Sequence, residues 1–208
     1  MKQPVEGSNN TSVLERQQAD TAERLAKNAA ANEIIAKKEF PNEIWVRVDN
    51  LTLKHAAMPK NATGILVAKS RLPINKQEEL DFLKEIKSAI ILKNLGSSVT
   101  LIPRIKDPIT GKFIAGPDAI VNGTLFEFKE ITGSIDKIGK NFILSRKQGD
   151  NVYIRVANTD LTKRKVLDYF ARYINNPRYK GGYKGNIVFS FGIEDRTYFF
   201  KIKDFKKP

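Results

Sequence analysis

Two acidic residues and a lysine near the middle of the chain have a spacing suited to chemistry on a phosphate ester. Asn122-Gly123 stands between two apolar runs, and this dipeptide favours a two-residue hairpin turn because both turn positions need positive φ. With that turn, the numbers of cross-strand partners sum to 245, so Asp118 lies directly opposite Glu127. Side chains alternate along a strand, so Lys129 shares the face of the two acids.

Like charges directly opposite each other destabilise a hairpin, and a divalent cation with oxygen ligands would offset that repulsion. Such a cation next to a lysine suits hydrolysis of a phosphodiester. The alternative is an acid pair on a solvated face that Lys129 simply neutralises. The neighbouring residues favour a covered strand, since both faces of the hairpin are largely apolar. They are Ile120 and Leu125 on the acid face and Ala119, Val121, Phe126 and Phe128 on the other.

Composition points to a polyanionic partner. The 208 residues carry a net charge of +13, and 41% of them are hydrophobic, enough for one domain with an appendage. Residues 161–208 hold twelve Lys/Arg against four Asp/Glu, more than half of the excess charge. Nucleic acid, an anionic membrane or an acidic protein would all suit this charge, and a generically basic protein is the alternative.

Several kinds of site are excluded. The chain has no cysteine, which rules out disulfides and thiolate-bound zinc. His55 is the only histidine, so mechanisms that need a histidine pair cannot operate, and nothing around it supports a Ser-His-Asp triad. No apolar run is long enough to predict a membrane span, and the N-terminus lacks the pattern of a cleaved signal peptide.

The pattern along the chain predicts a flexible tail at 1–12, a helical and β extension at 13–74 and a main domain at 75–208. The extension comprises a helix over 13–40 and strands at 44–48, 51–53 and 64–68. Asn75, with Glu78 three residues on, forms a capping box that opens a helix. From there the order is α, β, β, β, α, β, then α, β, β. We therefore expect an α/β fold, a mixed sheet with helices on its faces. The helix that Asn75 opens is expected to bury the stripe Leu80, Leu83, Ile86, Ile90 and Ile91. The last helix is expected to be capped by Thr159 or Asp160.

Pro117-Asp118 followed by Glu127-Phe128-Lys129, in this αβββαβ order, resembles the PD-(D/E)XK nuclease superfamily over about residues 75–156. The resemblance implies that Asp118 and Glu127 hold one or two Mg²⁺ or Mn²⁺ ions, with Zn²⁺ fitting less well. It also implies that Lys129 positions or activates the attacking water.

Many members of that superfamily add an acid from the preceding helix. Glu79 is the candidate third ligand here, because it lies on the line of residues expected to face the sheet. Glu78 is assigned to the helix cap, and Glu85 is expected to pair with solvent or lysines.

Two further segments are expected to contact the substrate. Arg146, Lys147 and Gln148 end the helix after the hairpin, where Arg146 could stabilise charge on phosphoryl oxygens or simply complement the helix dipole. The segment 176–185 is basic and rich in glycine, so it could bind nucleic acid or be a surface loop without function. Its lysines and arginine would neutralise phosphates and its tyrosines would stack on bases: Arg178, Lys180 and Lys184, and Tyr179 and Tyr183.

A narrower resemblance runs over about residues 99–203. The motifs Leu101-Ile102-Pro103-Arg104, Phe126-Glu127-Phe128-Lys129, Ser145-Arg146-Lys147-Gln148-Gly149, Tyr179-Lys180-Gly181-Gly182 and Tyr198-Phe199-Phe200-Lys201-Ile202-Lys203 are similar to the C-terminal nuclease modules of bacterial polymorphic toxins, including contact-dependent growth-inhibition tRNA nucleases.

This resemblance implies a metal-dependent endonuclease toxin that cleaves tRNA in the cytoplasm of a target cell. It also implies a cognate immunity protein, which the charge of +13 predicts to be acidic. Three alternatives stay open: a non-enzymatic basic module that binds nucleic acid, a DNA-directed nuclease of the same fold, and a protein-interaction or phage structural component.

Overall fold

The structure is a computed structural model that describes residues 8–105, 107, 109–111, 113–114, 116–146, 150–176, 185–191 and 196–205, without the side chains of 8–14 and 146. Its helices are α1 (Ser8–Glu39), α2 (Lys76–Asn94), α3 (Asp136–Arg146) and α4 (Lys163–Ile174). Its strands are β1 (Trp45–Arg47), β2 (Leu66–Ala68), β3 (Val99–Leu101), β4 (Ala119–Val121), β5 (Thr124–Ile131), β6 (Asn151–Val156), β7 (Asn186–Phe191) and β8 (Arg196–Lys201). Short 3₁₀ helices cover Val48–Asn50, Lys69–Arg71 and Ile202–Phe205.

The eight strands form one mixed sheet in which neighbours in sequence are neighbours in space. The pairs β2–β3, β5–β6 and β6–β7 are parallel and the other four are antiparallel. Parallel neighbours need a crossover, and α2, α3 and α4 supply the three crossovers. The mixed α/β class is confirmed, and so is the order of elements after Asn75. The sheet also runs through the expected boundary at 74/75, because β1 and β2 belong to it.

The core lies on both faces of the sheet. On one face α2 packs through Phe82 and Ile86 against strand residues such as Phe128. On the other face α3 and α4 pack against β5, β6 and β7. A third cluster joins Ala36 of α1 to Ile102 and Ile120, so α1 covers the hairpin strand β4. Both faces of the hairpin are therefore covered, as its apolar pattern predicted.

Four local predictions were wrong. Residues 51–53 are not a strand, and α1 already begins at Ser8, within the segment expected to be a tail. The cap of α4 is Thr162 rather than Thr159 or Asp160. Leu80 is 45% exposed, because α2 turns the line of Phe82 and Ile86 towards the sheet. A broad apolar stripe does not by itself fix which of its edges faces the core, since the crossing angle of the helix decides that.

Candidate active site

The hairpin has the register that its turn residues predict. Ala119 pairs with Phe126, and the two turn residues Asn122 and Gly123 have φ values of 49° and 77°. Positive φ at both positions is typical of a type I′ turn, whose twist matches that of the flanking strands. One residue before β4, the Asp118 N–H donates to the Phe126 carbonyl oxygen at 2.9 Å. Asp118 therefore lies beside Glu127 at one end of the hairpin.

Helix α1 fixes the other end of the hairpin through Asn32, which is 1% exposed. Its Oδ1 accepts the Gly123 N–H at 2.6 Å, and its Nδ2 donates to the Ile120 carbonyl oxygen and to Ser98 Oγ, both at 3.2 Å. A single side chain thus satisfies one backbone group of the turn and one of β4. The sequence analysis missed Asn32, although a polar residue within the thin apolar stripe of an Ala-rich helix was a signal for it.

Glu127 is buried, with 2% of its surface exposed, and it lies next to a second carboxylate. Burial, and then the negative charge of Asp118, raise the pKa of Glu127 to about 8. Lys129 acts in the opposite direction, since its Nζ donates to Glu127 Oε1. The three residues that the sequence placed on one face are therefore together. The acid pair keeps a proton near neutral pH even with the lysine in contact.

Both carboxylate oxygens of Asp118 accept hydrogen bonds that fix its orientation. Oδ1 accepts from Arg71 Nη2 at 2.7 Å, and Oδ2 accepts from the Phe128 N–H at 2.9 Å. The second bond continues the β4–β5 ladder beyond the end of β4, with a side-chain oxygen in the place of a backbone carbonyl. Asp118 is therefore held from one side by the neighbouring strand and from the other by an arginine.

The acid that α2 contributes near the pair is Glu85. Arg71 Nε donates to Glu85 Oε2 at 2.9 Å, and Arg104 binds the other oxygen of Glu85. Glu85 is thereby linked to Asp118 through one shared guanidinium group. The sequence analysis missed Arg71, because no motif marks a single arginine after a short strand.

Glu79 was the expected third acid, and the structure places it in a different environment. Its two oxygens accept the N–H groups of Lys54 and His55 at 2.9 and 2.8 Å. Burial alone would raise the pKa of Glu79, but these two bonds outweigh it and lower the pKa. Glu79 lines a cavity with residues 51–55 and 72–74, separate from that of the acid pair. It lies six residues before Glu85 on α2, about 9 Å along the helix axis.

A cavity of about 290 Å³ opens beside the acid pair. Asp118 and Glu127 line it on one side, and Phe40, Phe113 and Pro117 contribute apolar surface. Carboxylates beside an apolar wall are typical of a small-molecule or substrate site. Phe40 directly follows α1 and is its one contribution to this cavity among the described lining residues.

The remaining expected substrate contacts lie outside the described residues. They are the side chain of Arg146, and Lys147, Gln148, Arg178, Tyr179, Lys180, Tyr183 and Lys184. Within the described part of the chain, no group of three or more His, Cys, Asp or Glu residues is arranged to hold a metal ion. The helices described here also include none that is long and apolar enough to cross a membrane.

Comparison with known proteins connects the hairpin to one toxin family. Residues 116–191 match the family model of the contact-dependent growth inhibition CdiA C-terminal domain. The matched segment covers just over a third of the chain and contains Asp118, Glu127 and Lys129. No curated protein and no solved structure matches the chain. The match supports a relationship to contact-dependent growth-inhibition toxins, and with it a toxin function in bacterial competition.

Proposed function

We propose that this chain is the nuclease domain of a contact-dependent growth-inhibition toxin and hydrolyses phosphodiester bonds with the help of a divalent metal ion. The observation that carries the proposal is the buried Glu127 beside the half-buried Asp118, with Lys129 in contact with Glu127. All three residues fall within the segment that matches the toxin family. A net charge of +13 suits a nucleic-acid substrate. The sequence resemblance further suggests tRNA.

The donor set fits Mg²⁺ or Mn²⁺. Mg²⁺ is usually bound by one or two carboxylates together with waters and substrate phosphates, so a third protein acid is not required. Burial, and then the charge of Asp118, raise the pKa of Glu127, so two negative charges at this place are unfavourable without a further counter-ion. A cation bound by Asp118 and Glu127 would favour the ionised form of Glu127. Such an ion would polarise the phosphate and lower the pKa of a bound water.

The residues of the chain have separable roles in this proposal. Asp118 and Glu127 provide the oxygen ligands, and Lys129 Nζ, in contact with Glu127, is placed to orient the attacking water. Arg71 and the Phe128 N–H keep the Asp118 carboxylate in one orientation.

The proposal extends to delivery and to a partner. Toxins of contact-dependent growth inhibition imply an immunity protein, and an acidic one would complement this basic chain. Nucleic-acid cleavage is proposed to occur in the cytoplasm of the target cell.

A digest of total RNA, purified tRNA and plasmid DNA tests the activity. The purified protein is expected to cleave with Mg²⁺ or Mn²⁺ and to stop in excess EDTA. Asp118→Asn, Glu127→Gln and Lys129→Met are expected to lower the rate at least about 100-fold while the protein stays folded. Glu33→Gln is the matched control, since Glu33 also pairs with a lysine but is exposed on α1. Undiminished cleavage in EDTA, or full activity of the Asp118 variant, would refute this mechanism.

A second candidate is a module that binds nucleic acid without cutting it. One observation favours it: Asp118, Glu85 and Glu127 each have a basic partner within the protein, namely Arg71, Arg104 and Lys129. A charge network of this kind can be purely structural. Salt-sensitive binding with no cleavage under any divalent ion would establish this candidate. Cleavage of plasmid DNA but of no RNA would instead show a DNA-directed nuclease.

A further inference from the structure

The residue that fixes Asp118 comes from outside the segment that matches the toxin family. Arg71 ends the 3₁₀ helix that follows β2 and is 5% exposed. Its Nη2 donates to Asp118 Oδ1 and its Nη1 donates to the Ile102 carbonyl oxygen, both at 2.7 Å. The guanidinium group therefore joins the end of β3 to the start of β4.

The same guanidinium group is fixed from the side of α2. Its Nε donates to Glu85 Oε2 at 2.9 Å, so three separate nitrogen atoms are engaged by three elements of the fold. A planar guanidinium group with donors on three nitrogen atoms can satisfy such an arrangement, whereas the three donors of a lysine ammonium all extend from one nitrogen atom. The site thus specifies arginine by geometry and not only by charge.

Asp118 in turn has one oxygen on Arg71 and the other on the Phe128 N–H. Rotation of this carboxylate would break a charge-assisted hydrogen bond on each side. We propose that Arg71 is a positioning residue that holds the Asp118 carboxylate beside Glu127. It follows that the functional unit begins well before the matched segment and includes the connection between β2 and α2. The catalytic part of this inference rests on the proposed function.

Amide hydrogen exchange at Phe128 tests the positioning directly, because the Phe128 N–H donates to Asp118 Oδ2. Exchange is measured by NMR on the full chain for the wild type, Arg71→Met and Arg71→Lys. In Arg71→Met the Phe128 amide is expected to exchange about 10-fold faster relative to its β5 neighbours, because Asp118 without Arg71 is free to rotate away from the Phe128 N–H. Arg155→Met is the matched control, since Arg155 pairs with Glu130 in the same sheet without touching Asp118.

Cleavage kinetics provide the second readout. Arg71→Met is expected to lower kcat about 100-fold with little change in KM, as expected for a misplaced catalytic group. The kcat of Arg71→Lys is expected to be close to that of Arg71→Met, because lysine keeps the positive charge but lacks the planar guanidinium group. Thermal unfolding of each variant identifies losses that come from stability alone, and Arg71→Lys carries the test if Arg71→Met does not fold.

Wild-type Phe128 exchange in both Arg71 variants would overturn the inference, and so would full activity of Arg71→Lys. If the wild-type protein cleaves no nucleic acid, the proposed function fails. The exchange measurement then still decides whether Arg71 positions Asp118, so the two failures are distinguishable.

Discussion

Replacing Glu127 by glutamine is expected to stabilise the protein at alkaline pH while it abolishes the proposed cleavage. The pKa of Glu127 is raised from 4.5 to about 8 by burial and by Asp118. Between these two pH values the folded protein holds a proton that the unfolded chain has released, so the free energy of unfolding falls as pH rises. The effect is absent below about pH 4.5 and is complete above about pH 8.

The size of the effect follows from the same interval. Each pH unit costs about 1.4 kcal/mol, so the whole interval gives an upper limit of about 5 kcal/mol. Lys129 loses its ionised partner in the variant, which offsets part of the gain. We therefore expect Glu127→Gln to match the wild type at pH 5 and to exceed its free energy of unfolding by roughly 2 kcal/mol at pH 8.5.

Urea unfolding followed by the fluorescence of Trp45, the only tryptophan, measures this difference at several pH values. Glu33→Gln is the control, because Glu33 is exposed and its pKa is lowered by Lys37, so this variant should not gain stability as pH rises. A Glu127→Gln variant that is less stable than the wild type at pH 8.5, or a difference that does not change with pH, would refute the reasoning.

Three further outcomes are expected. Asn32→Ala should lower the free energy of unfolding by about 2 kcal/mol, because it leaves the part-buried Gly123 N–H and the buried Ile120 carbonyl oxygen without their partner. A loss below about 0.5 kcal/mol, or one no larger than that of Asn28→Ala one turn earlier, would contradict this. Gly123→Ala should cost more than Gly111→Ala in the same urea assay. Both glycines have positive φ, but only at Gly123 would a new Cβ approach Ala31, at 3.3 Å, so equal losses would argue against close packing of α1 on the turn. Finally, RNA affinity measured by fluorescence anisotropy should fall at least about 10-fold between 50 and 200 mM salt, and an affinity independent of salt would speak against phosphate binding.

Much of the site could be predicted from local sequence signals. The dipeptide Asn122-Gly123 determines the turn type, and the turn type sets the register of the hairpin. Period-two alternation then places Asp118, Glu127 and Lys129 on one face. Each of these steps involves residues close in the chain, so backbone geometry alone carries the inference.

Which acid of α2 lies near the pair could not be predicted in this way. Glu79 and Glu85 both lie on α2, and the choice between them depends on how α2 crosses the sheet. The crossing also decides that Phe82 is buried and Leu80 exposed, against the expected stripe. Helical periodicity gives the width of an apolar face but not its contact line, because ridge-into-groove packing with the partner surface selects that line.

The placement of two acids and a lysine on one face of the hairpin was thus determined by the sequence itself, through short-range rules of turn chemistry and strand alternation. What surrounds the pattern was decided by tertiary structure. Arg71 is 47 residues from Asp118, and Asn32 is 91 residues from Gly123. Contacts over such separations exist only once several elements have packed together, since each depends on burial and on the relative placement of strands and helices that no local signal encodes.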